Sequence, residues 1–286
     1  MSRNRDRVGN ESGATSLPPQ TMGNNESEGA FSFVVPTEFV ELPSKGRFYS
    51  DGHPLCGQQT IEIKQMTAKE EDLLTSRTLL KKGIALDRVI SNIIINKTIK
   101  QDDLLVGDRN AIMVAARISG YGNEYNTKTN CPACQVTQPY SFDLHDCGII
   151  NGAPSEELGV KEIEPGIFTT LLPKTQFEIT FRLLMGRDER VLVQQLENAR
   201  KRKKEENTIT RSLRMITVAV NGDHSTQAIN YFVENVPSLD ARHLQAAYKL
   251  ATPNVDLTQY FTCSECGYEE DMEVPLTADF LYGTSV

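Results

Sequence analysis

Strand-like and helix-like stretches alternate along this chain, and the pattern predicts an α+β protein. The expected architecture has N-terminal strands and helices, two cysteine knuckles brought together in a ribbon-like site, and a mostly helical insertion between them. Three observations carry the prediction. Cys131 and Cys134 form a C-x-x-C pair, and Cys263 and Cys266 repeat it far along the chain. After the second cysteine of each pair, apolar residues stand at the same three offsets: Tyr140, Phe142 and Leu144 in one copy, Met272, Val274 and Leu276 in the other. Alternation at period two marks a half-buried strand. Finally, apolar residues between the pairs recur mostly at helical spacing.

Residues 1–30 are rich in Asn, Gly, Ser, Glu and Pro and nearly free of large apolar side chains. Such a segment buries too little surface to offset its ordering entropy, so a disordered tail is expected. Its Arg3, Arg5 and Arg7 read as solvated, with an acidic partner as the alternative. An N-terminal region with the first knuckle follows at 31–150, the mainly helical insertion at 151–254, and the second knuckle with its strand at 255–286. Phe31–Pro36 and Glu38–Leu42 read as extended, and Thr60–Lys64 alternates like a strand. Thr67 and Glu70 form a capping box. The helix it opens is expected to reach Lys82, with Gly83 as its stop. Leu86, Val89, Ile90 and Ile93 stripe a second helix. A third follows Asp102 and Asp103, runs through Ile118 and ends at Gly120 and Gly122.

In the insertion, Phe168–Leu172 and Phe177–Leu183 look extended and Arg187–Glu206 looks like a charged helix. Ile209, Leu213, Ile216 and Val220 line one helical stripe. Ser238 caps a helix that turns Leu239, Leu244, Ala247, Tyr248 and Ala251 inward and closes at Pro253.

Composition narrows the function. The chain has 286 residues, enough for one large or two ordinary domains, and 39% are hydrophobic, which suffices for a core. No apolar run reaches membrane-spanning length, so a soluble protein is expected. Net charge is −8 and the isoelectric point near 5.2, which argues against wholesale nucleic-acid binding. The basic run Arg200–Lys204 is the one candidate nucleic-acid patch, but Glu205 and Glu206 follow it at once and a solvated helix face explains it. There is no phosphate-binding loop, dinucleotide fingerprint, nucleophile elbow or zinc-protease motif. Glu70, Glu71 and Asp72 crowd a helix start, where the dipole favours negative charge. A non-enzymatic role is expected.

Two matched thiolate turns feeding strands suit one tetrahedral zinc ion held by Cys131, Cys134, Cys263 and Cys266 at about 2.3 Å. Four protein ligands leave no position for water, so the ion would hold structure. Free thiols packed as small apolar residues are the bland alternative. Two disulfides would need an oxidising compartment, which no N-terminal signal segment indicates. A redox pair would open a helix, whereas strand residues follow both pairs here. Gly267 permits the tight turn after the second pair, and Gln135 stands there in the first. Cys56 and Cys147 read as incidental thiols and His145 as a surface residue; His53, His224 and His243 have no partner at ligand spacing. A separate candidate is the turn with Lys45, Arg47, Phe48 and Tyr49. It is either an interaction patch, since interfaces favour aromatics and Arg, or a turn whose aromatics fold inward and leave only the cations outside.

Four segments carry a family resemblance: VELPSKGRFY at 40–49, MTAKEED at 66–72, LLVGDRNAI at 104–112 and ARISGYG at 116–122, leading into the first knuckle. In order and spacing they resemble the baseplate proteins of T-even-type contractile-tailed bacteriophages, and among them the hub assembly proteins, over about residues 31–145. The resemblance implies a morphogenetic protein that builds or joins the central hub of the tail baseplate, with other hub proteins as partners. It also implies a location in the host cytoplasm during assembly or in the virion baseplate. Two readings compete with it: a zinc-ribbon nucleic-acid-binding regulator and, from the acidic residues alone, a hydrolase.

Overall fold

The computed structural model describes residues 34–81, 83–201, 207–274 and 278–281. The expected tail at 1–30, the start of the Phe31–Pro36 stretch, Lys82, most of the basic run and Leu276 lie outside the described residues.

Strand β1 (Thr37–Glu41) pairs antiparallel with β2 (Thr60–Lys64), Thr37 facing Lys64 and Glu41 facing Thr60. Alternation buries Val40, Ile61 and Ile63 and leaves Phe39 exposed. Helix α1 (Ala68–Thr75) starts at the expected capping box: the Glu70 carboxylate accepts from the Thr67 N–H at 3.0 Å and its hydroxyl at 2.6 Å. The single helix expected up to Lys82 is broken at Ser76, whose extended backbone separates α1 from α2 (Arg77–Lys81). Gly83, at φ 64°, supplies the predicted stop.

Helix α3 (Ala85–Ile93) buries Val89, Ile90 and Ile93 on the predicted stripe. A 3-10 turn at Gln101–Asp103 leads into α4 (Val106–Tyr121); Gly120 stays inside that helix and Gly122, at φ 83°, ends it. The first cysteine hairpin is β3 (Glu124–Asn130) with β4 (Thr137–Asp143), followed by short β5 (Gly148–Ile150).

Four strands then form an antiparallel sheet in chain order: β6 (Lys161–Glu164), β7 (Ile167–Leu171), β8 (Glu178–Arg182) and β9 (Thr217–Val220). Helices α5 (Gly186–Lys201) and α6 (Thr208–Ile216) intervene before β9 (Thr217–Val220). The stripe from Ile209 to Val220 therefore does not belong to one helix. The β-branched run Ile216-Thr217-Val218 favours extended backbone, and Val220 pairs with Ile179 across the sheet. Helices α7 (Thr226–Asn235) and α8 (Ser238–Ala251) follow. Leu244, Ala247 and Ala251 are buried on α8 as expected, but Leu239 in its first turn is exposed. Strand β10 (Asn254–Asp256) returns to pair with β5, and β11 (Thr258–Thr262) with β12 (Glu269–Glu273) forms the second cysteine hairpin. The protein is mixed α+β, as predicted.

One hydrophobic cluster runs from Val40 to Leu281, and a small second one joins Cys131, Phe261 and Cys263, flanked by Tyr140, Tyr268 and Met272. No helix among the described residues is long and apolar enough to cross a membrane.

Candidate metal centre

The two knuckles share one backbone design. In the first, the Cys131 N–H donates to the Val136 carbonyl at 3.0 Å and the Gln135 N–H to the Cys131 carbonyl at 2.9 Å. In the second, Cys263 donates to Tyr268 at 2.8 Å and Gly267 to Cys263 at 3.0 Å. Both turns need a left-handed residue at the same place. Gly267 takes φ 69° freely, and Gln135 is held at φ 59° by the same bonds.

The hairpins are clamped face to face. The Gln138 side chain, on β4, accepts from the Ser264 N–H at 3.1 Å and its hydroxyl at 2.7 Å, and its amide points to the Thr262 carbonyl at 3.4 Å. The Tyr140 hydroxyl donates to the Tyr260 carbonyl at 3.0 Å, and the Tyr140 ring packs 5.0 Å from Phe261. The predicted strand faces explain this. Phe142 and Leu144 are buried after the first knuckle, Val274 after the second, and Tyr140 and Met272 lie half-buried beside the sulfurs.

This docking gathers all four sulfurs within 4.8 Å of one another. Cys131 Sγ is 3.7 Å from Cys266 Sγ, and Cys134 Sγ is 3.8 Å from Cys263 Sγ. Four thiolates about 2.3 Å from a central zinc stand about 3.8 Å apart at the corners of a tetrahedron, so the donor set fits that ion. The electrostatics of the crowded sulfurs point the same way. The Cys131 thiol is pulled down to about 7, first by the Cys134 N–H and then, against burial, by the Ala133 N–H and neighbouring sulfurs. At Cys266 the Tyr268 N–H also favours the thiolate, but desolvation and three crowded sulfurs push it up to about 12. Four thiols this close resist ionising together unless a cation neutralises them.

Cys56 and Cys147 are half-buried outside the cluster, the latter 3.6 Å from the Gln259 amide. His145 is exposed. His53 stacks on Tyr49, and the His243 ring meets the Thr170 hydroxyl at 3.2 Å.

The Lys45–Tyr49 turn resolves into two parts. Phe48 and Tyr49 are buried, and only Lys45 and Arg47 remain exposed. The aromatics are therefore not the surface half of an interaction patch. The Phe48 ring packs 5.9 Å from Phe168, and Tyr49 is held by a buried carboxylate that the sequence reading passed over. Asp108, in the first turn of α4 and fully buried, accepts from the Ser44 N–H at 2.9 Å, the Ser44 hydroxyl at 2.6 Å and the Tyr49 hydroxyl at 2.7 Å. Tyr49 in turn accepts from the Leu105 N–H at 3.1 Å. Burial raises the Asp108 carboxyl above its ordinary range despite those donors, and burial and Asp108 together raise the Tyr49 phenol well above its own. Gly46, at φ 71°, lets the turn close; a β-carbon there would lie 2.4 Å from the Leu55 carbonyl oxygen.

The sequence model of one protein family, described as the T4 bacteriophage base plate protein, matches residues 35–282. The chain belongs to this family. The match runs past the 31–145 stretch that carried the resemblance and takes in both knuckles, so the four sulfurs lie within the family region. No curated protein and no solved structure matches the chain. Membership makes this a phage baseplate protein, with other baseplate proteins as its natural partners and the virion tail baseplate as its location.

Proposed function

We propose that the chain is a non-enzymatic morphogenesis protein that builds, or forms part of, the central hub of the tail baseplate through protein–protein contacts. A structural zinc ion at Cys131, Cys134, Cys263 and Cys266 would clasp its two cysteine hairpins. The observation that carries the reading is the family match across 35–282, which spans a body whose closed four-sulfur cluster offers no position for substrate. When bound, the ion would supply no chemistry beyond holding the hairpins, because all four of its positions go to protein. Separate structural regions at 31–150, 151–254 and 255–286 are part of this proposal, as is a role for exposed Lys45 and Arg47 at a partner surface. Assembly in the host cytoplasm is part of it too.

Charge weighs against the nucleic-acid reading. The second hairpin carries exposed Glu265, Glu269, Glu270, Asp271 and Glu273, and no Lys or Arg follows Lys249 in the chain. A knuckle with that surface repels phosphate.

The test is to co-express the chain with the other hub proteins and, separately, to search mature particles for it. Recovery in a stoichiometric complex with a hub subunit supports the proposal. Retention on heparin at physiological salt, with no hub complex, overturns it in favour of nucleic-acid binding.

A further inference from the structure

We propose that the four-sulfur site has two working states, and that peroxide converts one into the other. In the first the sulfurs hold zinc. In the second the metal has left and the hairpins are joined by two disulfides, Cys131 to Cys266 and Cys134 to Cys263. The starting state rests on the zinc reading above; the end state rests on the placement of the sulfurs.

Each knuckle presents one exposed sulfur and one buried sulfur. Cys134 and Cys266 are exposed, whereas Cys131 and Cys263 are each 1% exposed. Each exposed sulfur faces the buried sulfur of the opposite hairpin, at 3.7 and 3.8 Å. An oxidant therefore meets Cys134 or Cys266 first, and a resolving thiol already stands beside it on the other hairpin. The exposed thiolate attacks peroxide, taking one oxygen as a sulfenic acid and releasing hydroxide. The buried thiolate then attacks that sulfur, forming the disulfide and expelling the second oxygen as hydroxide, which takes up a proton. Each disulfide thus gives two electrons to one peroxide, which with two protons becomes two waters. Two peroxides convert the site, and zinc leaves as the hydrated ion. The remaining movement is small, since a disulfide needs about 2.05 Å between sulfurs, and the Gln138 clamp keeps the hairpins opposed meanwhile.

The consequence concerns compartments. A reducing cytoplasm favours thiolates and zinc, and the exterior that a released particle enters favours disulfides. A clasp closed in both states keeps the two hairpins joined in either setting.

The full chain, with Cys147→Ala so that no other cysteine shares the peptides, is treated with hydrogen peroxide. Zinc release is followed with a chromogenic chelator, and the non-reduced tryptic digest is read by mass spectrometry. Cutting after lysine leaves Cys131 and Cys134 together in 129–161, and Cys263 and Cys266 together in 250–286. The expected result is about one zinc released per chain, with these two peptides covalently joined. The oxidised chain should melt within a few degrees of the zinc form, and the reduced, metal-free chain about 10 °C lower. Disulfides confined within each peptide, or sulfinic acids at Cys134 and Cys266, overturn the proposal. A chain that binds no zinc overturns the metal reading and with it the first state, and the peptide map still shows separately whether oxidation joins the two hairpins.

Discussion

The cysteine cluster and the Asp108 latch both tie together distant stretches of chain, but by opposite means. The cluster joins Cys134 to Cys263 across 129 residues with four soft donors, two exposed and two buried. The latch joins Ser44 to Asp108 across 64 residues with one carboxylate sealed from water. On the zinc proposal, the first would be strong because a cation neutralises charge that would otherwise repel. The second is strong because three donors have nowhere else to go once the loop is closed. A metal clasp can be emptied by chelation or oxidation, whereas a buried hydrogen-bonded carboxylate responds to substitution and to pH.

The comparison is broken most severely at the cysteines. Cys263→Ser or Cys131→Ser should abolish stoichiometric zinc and lower stability by about 3–4 kcal/mol, or about 10 °C in melting temperature. Metal analysis and calorimetry on the same preparations check both. Full metal occupancy with an unchanged melting point in either variant would remove the clasp from this account.

Next comes the latch. Asp108→Ala strands the Ser44 N–H, the Ser44 hydroxyl and the Tyr49 hydroxyl in a dry site, at about 3 kcal/mol by chemical denaturation. Asp108→Asn should cost less than half of that, because the Ser44 hydroxyl can turn to accept from the new amide. Zinc content should stay normal in both, which separates the two joins.

The two joins also differ in how far the sequence reveals them. Cysteine is scarce and two C-x-x-C pairs stand out, so the four residues that the fold gathers could be read directly. The same holds for the strand faces beyond them, where Phe142, Leu144 and Val274 sit as the alternation requires. Asp108 carries no such mark, since an acid in the first turn of a helix is ordinary. Its role depends on a loop 64 residues away, where it holds the Tyr49 hydroxyl inside. Strands β3 and β11 were missed because they are largely polar, with Tyr125 and Phe261 as their large buried anchors. Helix α7 was missed because Ile229, Tyr231, Phe232 and Val233 suit a strand equally well. Its one local signal was Ser225, whose hydroxyl accepts from the Ala228 N–H at 3.2 Å.

Acid sharpens the contrast between buried carboxylates. Glu70 is fully buried, and burial alone would raise its pKa. Lys64, at 2.9 Å, and the Thr67 hydroxyl and N–H overcome that and hold it at about 2, against an ordinary 4.5. A depressed pKa contributes stability that is complete above about pH 4.5 and is lost as pH falls toward 2. Asp108 runs the other way. Its raised pKa means that acidification through that value relieves a buried charge. Glu70→Gln should therefore flatten the acid limb of the stability curve by about 2 kcal/mol between pH 5 and 3, and Asp108→Asn should steepen it. Melting curves across that range read both signs, and a Glu70→Gln curve parallel to wild type would refute the assignment.

The smallest effect compares the knuckles with each other. Their hydrogen bonds correspond bond for bond, yet Gln135 occupies a left-handed conformation that Gly267 adopts without strain. A side chain in that region carries about 1 kcal/mol of strain, part of which a glycine returns through its freer unfolded chain. Gln135→Gly should therefore stabilise the zinc form by about 0.5 kcal/mol or less, and Gly267→Gln should destabilise it by about 1 kcal/mol. Opposite signs from substitutions at matched positions would show that the two turns are one design made twice. Equal signs would mean that the Gln135 side chain contributes something its counterpart does not.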